Sequence, residues 1–274
     1  MFQCQDQKGI VAAVSDFVLS HSGNILNADQ HTTDPYGGQF FLRVEFCLED
    51  GSVDWQGLQE EFLPIAKRLN ATFRFYDQTE RLKMGIFVSR PDHCLFDLLY
   101  LWGAGELQVD IPFVVSNFSA HKGLVERFGV PFYFIAATKD DRKEEELLFF
   151  AKKADFLVLA RYMLVLSPGF LASFGKDIIN IHHGFLPAFK GVNPYRQALQ
   201  QGVKVIGATA HFVNEQLDAG PIIAQSVEYV SHKDSLQSLI RKGKNLEKRA
   251  LVGAVSAYIE HRVIRWGNKT VVFR

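Results

Sequence analysis

The chain has no run of apolar residues approaching the ~20 that cross a bilayer, so no helical membrane span is expected. It has no excess of either charge: 30 Lys and Arg stand against 30 Asp and Glu. That balance argues against the strongly basic surface of a nucleic-acid binder. An anionic ligand would therefore meet local groups, not a global field. Cysteine is scarce. Cys4, Cys47 and Cys94 are scattered and odd in number, with neither a zinc spacing nor a disulfide framework. Reduced thiols in a cytoplasmic protein are the expectation. Met1 leads almost directly into Cys4-Gln5-Asp6-Gln7-Lys8, so no secretory leader is expected. Internal repeats and low-complexity segments are lacking too. What is present is an ordinary globular composition over 274 residues, enough for two modest domains or one large one.

The hydrophobic pattern changes grammar near residue 79. Before it, Phe2 to Gln5 reads as a strand, and Ile10, Val11, Val14, Phe17 and Val18 repeat at helical spacing, with Gly23 as the residue after the helix end. Asn24 to Thr33 and Phe40 to Leu48 read as a hairpin about the turn Asp34-Pro35-Tyr36-Gly37-Gly38. A helix over Trp55 to Leu69 and a strand over Thr72 to Tyr76 complete a ferredoxin-like βαββαβ unit, residues 1–78. From 79 to 274 strands and helices alternate, which predicts a Rossmann-like, mostly parallel α/β domain. Its strands are expected at 84–88, 111–115, 133–135, 156–160, 178–181, 205–213 and 222–229. Its helices are expected near 94–102, 122–128, 142–152, 168–174, 194–201 and 235–259. Gly267-Asn268 predicts a small C-terminal hairpin. The charge run Lys139 to Glu146 reads as a solvated helix start.

In open sheets of this kind ligands bind beyond the carboxyl ends of the strands. Asn180 and His182 fall at one such end, in Ile179-Asn180-Ile181-His182-His183-Gly184-Phe185-Leu186-Pro187. His211 closes a later strand, and Asp218 follows in Leu217-Asp218-Ala219-Gly220-Pro221. An amide, an imidazole and a carboxylate can hold a carbonyl, stabilise the oxyanion it becomes and move a proton. Each also has a plain structural reading: a turn cap for Asn180, a core histidine for His182 or His211, a turn acid for Asp218. His183 is expected to support its neighbour. His93 beside Cys94 is read as a helix N-terminal residue, not a metal ligand, and no metal site is expected.

Together these stretches resemble the folate-dependent formyltransferase fold, and more closely the formyltetrahydrofolate deformylase family. Asp92-His93-Cys94-Leu95 with Asp97-Leu98-Leu99, Leu159-Ala160-Arg161-Tyr162-Met163 and the doubled His182-His183 carry the closer likeness. The likeness extends to the first unit, where Asp6, Lys8-Gly9-Ile10-Val11 and Gly23-Asn24-Ile25 resemble an ACT-type regulatory domain. The resemblance implies hydrolysis of 10-formyltetrahydrofolate to formate and tetrahydrofolate, with no cofactor, in one-carbon and purine metabolism. Asn180 and His182 would donate to the oxyanion. Asp218 would orient or deprotonate the water, braced by His211. Met163, Leu164, Val165 and Leu166, with Gly184, would meet the folate. The family's pattern usually has Ser at Gly184, His at Phe118 and a polar residue at Leu164. The resemblance also implies methionine and glycine as effectors, held near Asp6, Gly9, Gly23 and Asn24, and a homo-oligomer, dimer or tetramer. Two other readings stay open: a formyltransferase with an amine acceptor, and an inactive amino-acid sensor.

Overall fold

A computed structural model describes residues 1–34, 36–48, 53–188 and 194–274. Contacts divide the chain into two units.

The first unit holds Met1–Thr79 with His261–Trp266 and Val271–Arg274. Its order is β1 (Phe2–Gln5), α1 (Ile10–Ser20), β2 (Gly23–Thr32), β3 (Gln39–Leu48), α2 (Trp55–Arg68) and β4 (Thr72–Phe73). The strands form one antiparallel sheet in the order β2-β3-β1-β4, the split βαββαβ topology. Asp54 caps α2 by accepting from the Gly57 N–H at 3.0 Å. Leu58, Phe62 and Ala66 recur at helical spacing and bury against Phe2, Phe17 and Phe40. Each fully buried large side chain contributes about 1.5–3 kcal/mol.

Three details differ from the sequence expectation. Gly23 is not the residue after the end of α1: His21 caps it and Ser22 takes the left-handed turn at φ 53°. Gly23 opens β2 instead, where a Cβ would stand 2.8 Å from Val18 Cγ1 and 2.9 Å from the Val18 carbonyl oxygen. β4 ends at Phe73, shorter than the expected strand to Tyr76; it pairs with Phe2 and Gln3, and Arg74 exchanges hydrogen bonds with Met1 just beyond it. Pro35, in the expected turn, lies outside the described residues. The C-terminal segments expected with the second domain group with the first unit, where Ile264 and Phe273 pack on Phe41.

The second unit holds Glu80–Glu260 and Gly267–Thr270. Its elements are β5 (Met84–Val88), α3 (His93–Gly103), β6 (Val114–Ser116), α4 (Lys122–Glu126), β7 (Phe132–Phe134), α5 (Glu144–Ala151), β8 (Phe156–Leu159), α6 (Pro168–Phe174), β9 (Ile178–His182), α7 (Pro194–Gln200), β10 (Val205–Phe212), β11 (Ile222–Tyr229) and α8 (Leu236–Ile259). β12 (Val263–Trp266) and β13 (Lys269–Val272) form the terminal hairpin. The sheet is seven-stranded, β11-β10-β9-β8-β5-β6-β7. It is parallel from β9 to β7, and β10 and β11 add antiparallel strands at one edge. β5 and β8 are buried at every position, as strands covered on both faces must be. β6 begins later than expected, at Val114, because Pro112 has no N–H for a ladder bond. α5 begins at Glu144 because Lys143 is left-handed, φ 51°.

Candidate active site

β9 is the middle of the site. It runs parallel to β8, with Asn180 opposite Leu159, and antiparallel to β10, with Asn180 opposite His211 and His182 opposite Thr209. Residues two apart on a strand, and directly opposed residues on its neighbour, share a face. Asn180, His182, Thr209 and His211 therefore project together. The loop after β10 folds back and brings Asp218 to them. Asp218 is left-handed, φ 52°, a conformation that Asp tolerates better than most residues. Gly220 lets the loop lie against β10, since a Cβ there would overlap the Phe212 carbonyl, and the Phe212 N–H donates to the Pro221 carbonyl at 2.9 Å.

The result is a buried polar cluster. Asp218 Oδ2 lies 3.2 Å from His182 Nδ1, and His182 is 4% exposed. His211 donates from Nδ1 to the Phe212 carbonyl at 2.8 Å, which makes Nε2 the lone-pair nitrogen. That nitrogen accepts from the Asn180 amide at 3.2 Å and lies 3.9 Å from Asp218 Oδ1. Burial first holds the His211 pKa below its ordinary value, so the ring stays neutral. His211 thus orients Asn180, and its Nε2 also stands 3.9 Å from the Asp218 carboxylate that it is expected to brace. Asn180 sits inside β9, not at a turn. The cluster offers an amide donor, an imidazole and a carboxylate at one spot, the groups that carbonyl hydrolysis requires.

Thr209 supports the loop beyond β9. Its hydroxyl donates to the Gly184 carbonyl at 2.9 Å and accepts from the Leu186 N–H at 3.0 Å and from Gln225 at 3.1 Å. Gly184 is thereby placed beside the cluster through its backbone. In Met163 to Leu166 the side chains alternate. Leu166 is buried and Leu164 packs on the same core, while Met163 and Val165 are about half exposed.

Sequence reasoning missed a second buried cluster. Glu247 of α8 is 2% exposed and accepts from His93 Nε2 at 2.8 Å and the Tyr195 hydroxyl at 2.8 Å, with Arg161 at 3.2 Å. Burial pushes its carboxyl up, but the His93 bond and the Arg161 charge outweigh that and hold it below the ordinary value. The clue was legible: Glu247 occupies the apolar face of α8, with Gly243, Leu246 and Ala250. His93 begins α3 as expected, but its ring reaches Glu247 instead of capping the helix. His93, Cys94 and Glu247 have ligand atoms within 4.8 Å of one another. Arg161 already supplies the positive charge there, so the cluster reads as an ion-pair core.

His183 sits between the clusters, its ring 5.4 Å from that of His182 and 6.0 Å from Tyr195. Burial, then the Arg161 charge, lower its pKa to about 3 from an ordinary 6.5. Below 6.5 the unfolded chain binds a proton there that the folded chain refuses. The stability due to neutral His183 is therefore complete above 6.5 and is lost as pH falls toward 3. We expect a slope of up to ~1.4 kcal/mol per pH unit from this group. Urea midpoints between pH 7.5 and 4.5 should fall less steeply in His183→Gln; parallel curves for the two proteins would refute the assignment.

Among the expected effector residues, Asp6 accepts from the Thr32 hydroxyl at 3.0 Å and Gly9, φ 87°, precedes α1. Gly23 and Asn24 lie past the other end of α1, whose 11 residues span roughly 16 Å. The fold does not bring the two pairs together within one chain. A cavity of about 400 Å³ in the first unit, lined by Phe46, Phe73 and Phe75 among others, includes none of the four.

Comparison with known proteins adds to this geometry. The formyl transferase family profile matches residues 82–255. Formyltetrahydrofolate deformylase of Bacillus subtilis is 44% identical over 277 residues, covering 100% of this chain and 92% of that protein. The crystal structure of a formyltetrahydrofolate deformylase from Pseudomonas syringae superposes with a TM-score of 0.92 at 42% identity, over 100% of this chain and 93% of that one. Glycinamide ribonucleotide transformylase 1 from Symbiobacterium toebii matches less of it, with a TM-score of 0.67 at 29% identity over 74% of this chain and 99% of its own. No helix among the described residues is long and apolar enough to cross a membrane.

Proposed function

This chain belongs to the formyltetrahydrofolate deformylase family, and from that premise we propose that it hydrolyses 10-formyltetrahydrofolate to formate and tetrahydrofolate. The observation that carries the reading is the convergence of Asn180, His182 and Asp218 on one face of β9. Water adds to the formyl carbon while the carbonyl π pair moves onto oxygen. Asn180, oriented by His211, donates an N–H to that oxyanion, and the His182 ring donates a second from Nε2, its Nδ1 being held by Asp218. Asp218 orients the water and takes its proton. The C–N10 bond then breaks, N10 takes the proton that Asp218 removed from the water, and the product leaves as formic acid, which ionises to formate. No electrons change hands, so the reaction calls for no redox cofactor. Met163 to Leu166 is the segment we assign to the pterin, with Gly184 at its side.

The test separates hydrolase from transferase. Purified protein with 10-formyltetrahydrofolate and no amine should release formate and tetrahydrofolate in equal amounts. A requirement for an added amine would establish the transferase reading, and no turnover under either condition would establish the inactive sensor.

For the first unit we keep the ACT-type reading, supported by its βαββαβ topology. A methionine or glycine effector would meet Asp6 and Gly9 from one subunit and Gly23 and Asn24 from another, since one chain separates them. This favours a homo-oligomer. Cysteines that are all free, two of them buried, suit a cytoplasmic setting.

A further inference from the structure

Three anchors flank the segment from Arg161 to Ser167, and none belongs to the Asn180–His182–Asp218 cluster. Ser89, the residue after β5, is 1% exposed. Its hydroxyl accepts from the Met163 N–H at 2.9 Å and donates to Asn117 Oδ1 at 2.8 Å, and its own N–H donates to the Arg161 carbonyl at 3.2 Å. Its carbonyl accepts from the His121 ring at 2.8 Å. Ser89 therefore spends its polar atoms on three neighbouring segments, and two of its bonds go to Arg161 and Met163. Arg161 is left-handed, φ 64°, a conformation that a long side chain adopts only where its surroundings hold it. Glu247 holds it from the opposite side at 3.2 Å, with His93 and Tyr195 fixing the carboxylate. Gly243 makes room for this, since a Cβ there would stand 2.6 Å from Tyr195 Cε1. At the far end, Glu144 takes the Ser167 N–H at 2.7 Å and the Ser167 hydroxyl.

Between the anchors, Leu164 and Leu166 face the core, and the backbone of Leu164, Val165 and Leu166 makes no hydrogen bond to other described residues. A backbone edge of this sort, beside half-exposed Met163 and Val165, suits a flat heteroaromatic ring whose rim alternates donors and acceptors. We propose that Ser89 and Glu247 are positioning residues that hold Arg161–Leu166 in the conformation that receives the folate head group. The proposal rests on the reading that this segment binds it. Neither residue touches the reacting atoms, so each acts on binding and leaves the chemical step alone. Preorganisation of this kind shows in affinity because an unpinned segment must be ordered when the ligand arrives.

The experiment is steady-state kinetics of Ser89→Ala and Glu247→Gln, with equilibrium binding of tetrahydrofolate and a melting curve for each. KM and the tetrahydrofolate Kd should rise together by about tenfold or more, and kcat should stay within threefold of wild type. A merely structural role would lower the melting temperature and leave KM alone. Glu247→Gln keeps an oxygen for His93 or Tyr195 and removes only the charge opposite Arg161, so it complements Ser89→Ala should either fold poorly. KM and Kd within twofold of wild type in the folded variants would overturn the proposal, as would a loss confined to kcat. A wild-type protein that neither turns over nor binds tetrahydrofolate would overturn the underlying functional reading instead.

Discussion

Asp218→Asn should lower kcat for formate release by about three orders of magnitude while the protein stays folded. The change keeps the shape of the side chain and removes its charge. Asp218 Oδ2 holds His182 Nδ1 at 3.2 Å, and in the proposed mechanism the carboxylate accepts the water's proton. General acid–base catalysis typically contributes 10²–10⁴-fold. Asn180→Ala removes the proposed oxyanion donor, a loss that costs ~10²–10³ in kcat elsewhere, and takes away the 3.2 Å amide partner of His211 Nε2. His182→Ala should match the Asp218 variant. The losses will not add, because residues that act as a unit do not contribute independently. Formate release should be followed with saturating 10-formyltetrahydrofolate, beside circular dichroism. Any of the three folded variants retaining a tenth of wild-type kcat would remove that residue from the chemistry.

Much of the fold is legible in the amino-acid sequence. The period-3.6 pattern located most helices, and continuous apolar runs located the strands of the second unit, because β5 and β8 are covered on both faces and bury every position. Register was not readable. Asn180 facing His211 follows from β9–β10 pairing 31 residues apart in sequence, and nothing local in either strand specifies it. The conformation of Asp218 was similarly hidden, since the motif shows a turn but not its left-handed φ of 52°. Ser89 was invisible because a serine after a strand is unremarkable until its partners are known. Glu247 was visible in principle, as a carboxylate on an apolar helix face, and was overlooked because its partners His93, Arg161 and Tyr195 come from three distant segments. The run Lys139 to Glu146 was read as solvated, yet Glu144 leaves it to bind Ser167. The terminal hairpin was correctly placed in sequence, while its packing on Phe41 depends on contacts across more than 200 residues.

Gly220→Ala should cripple the site without touching any group that meets substrate. The added Cβ would overlap the Phe212 carbonyl oxygen and stand 2.9 Å from its carbon. Both are backbone atoms of β10, so neither can swing aside as a side-chain tip would. Relief must come from the loop, which carries Asp218 two residues earlier, or from the Phe212 carbonyl, which receives the His211 Nδ1–H at 2.8 Å. The first route pulls the carboxylate from His182. The second frees the His211 ring and with it the Asn180 amide. Either way a 1 Å error in placement is enough to cost ~10²-fold in rate. Overpacking should also destabilise by about 1–3 kcal/mol. Gly253→Ala supplies the control, because an added Cβ there meets nothing within 4 Å on the exposed side of α8, and Ala in place of Gly within a helix stabilises by roughly 0.5–1 kcal/mol. Urea midpoints should thus move in opposite directions in the two variants, while kcat falls in Gly220→Ala and stays at the wild-type value in Gly253→Ala. A Gly220→Ala protein with wild-type kcat would mean that the loop can reach His182 by another path, and that Asp218 is held less tightly than its contacts imply.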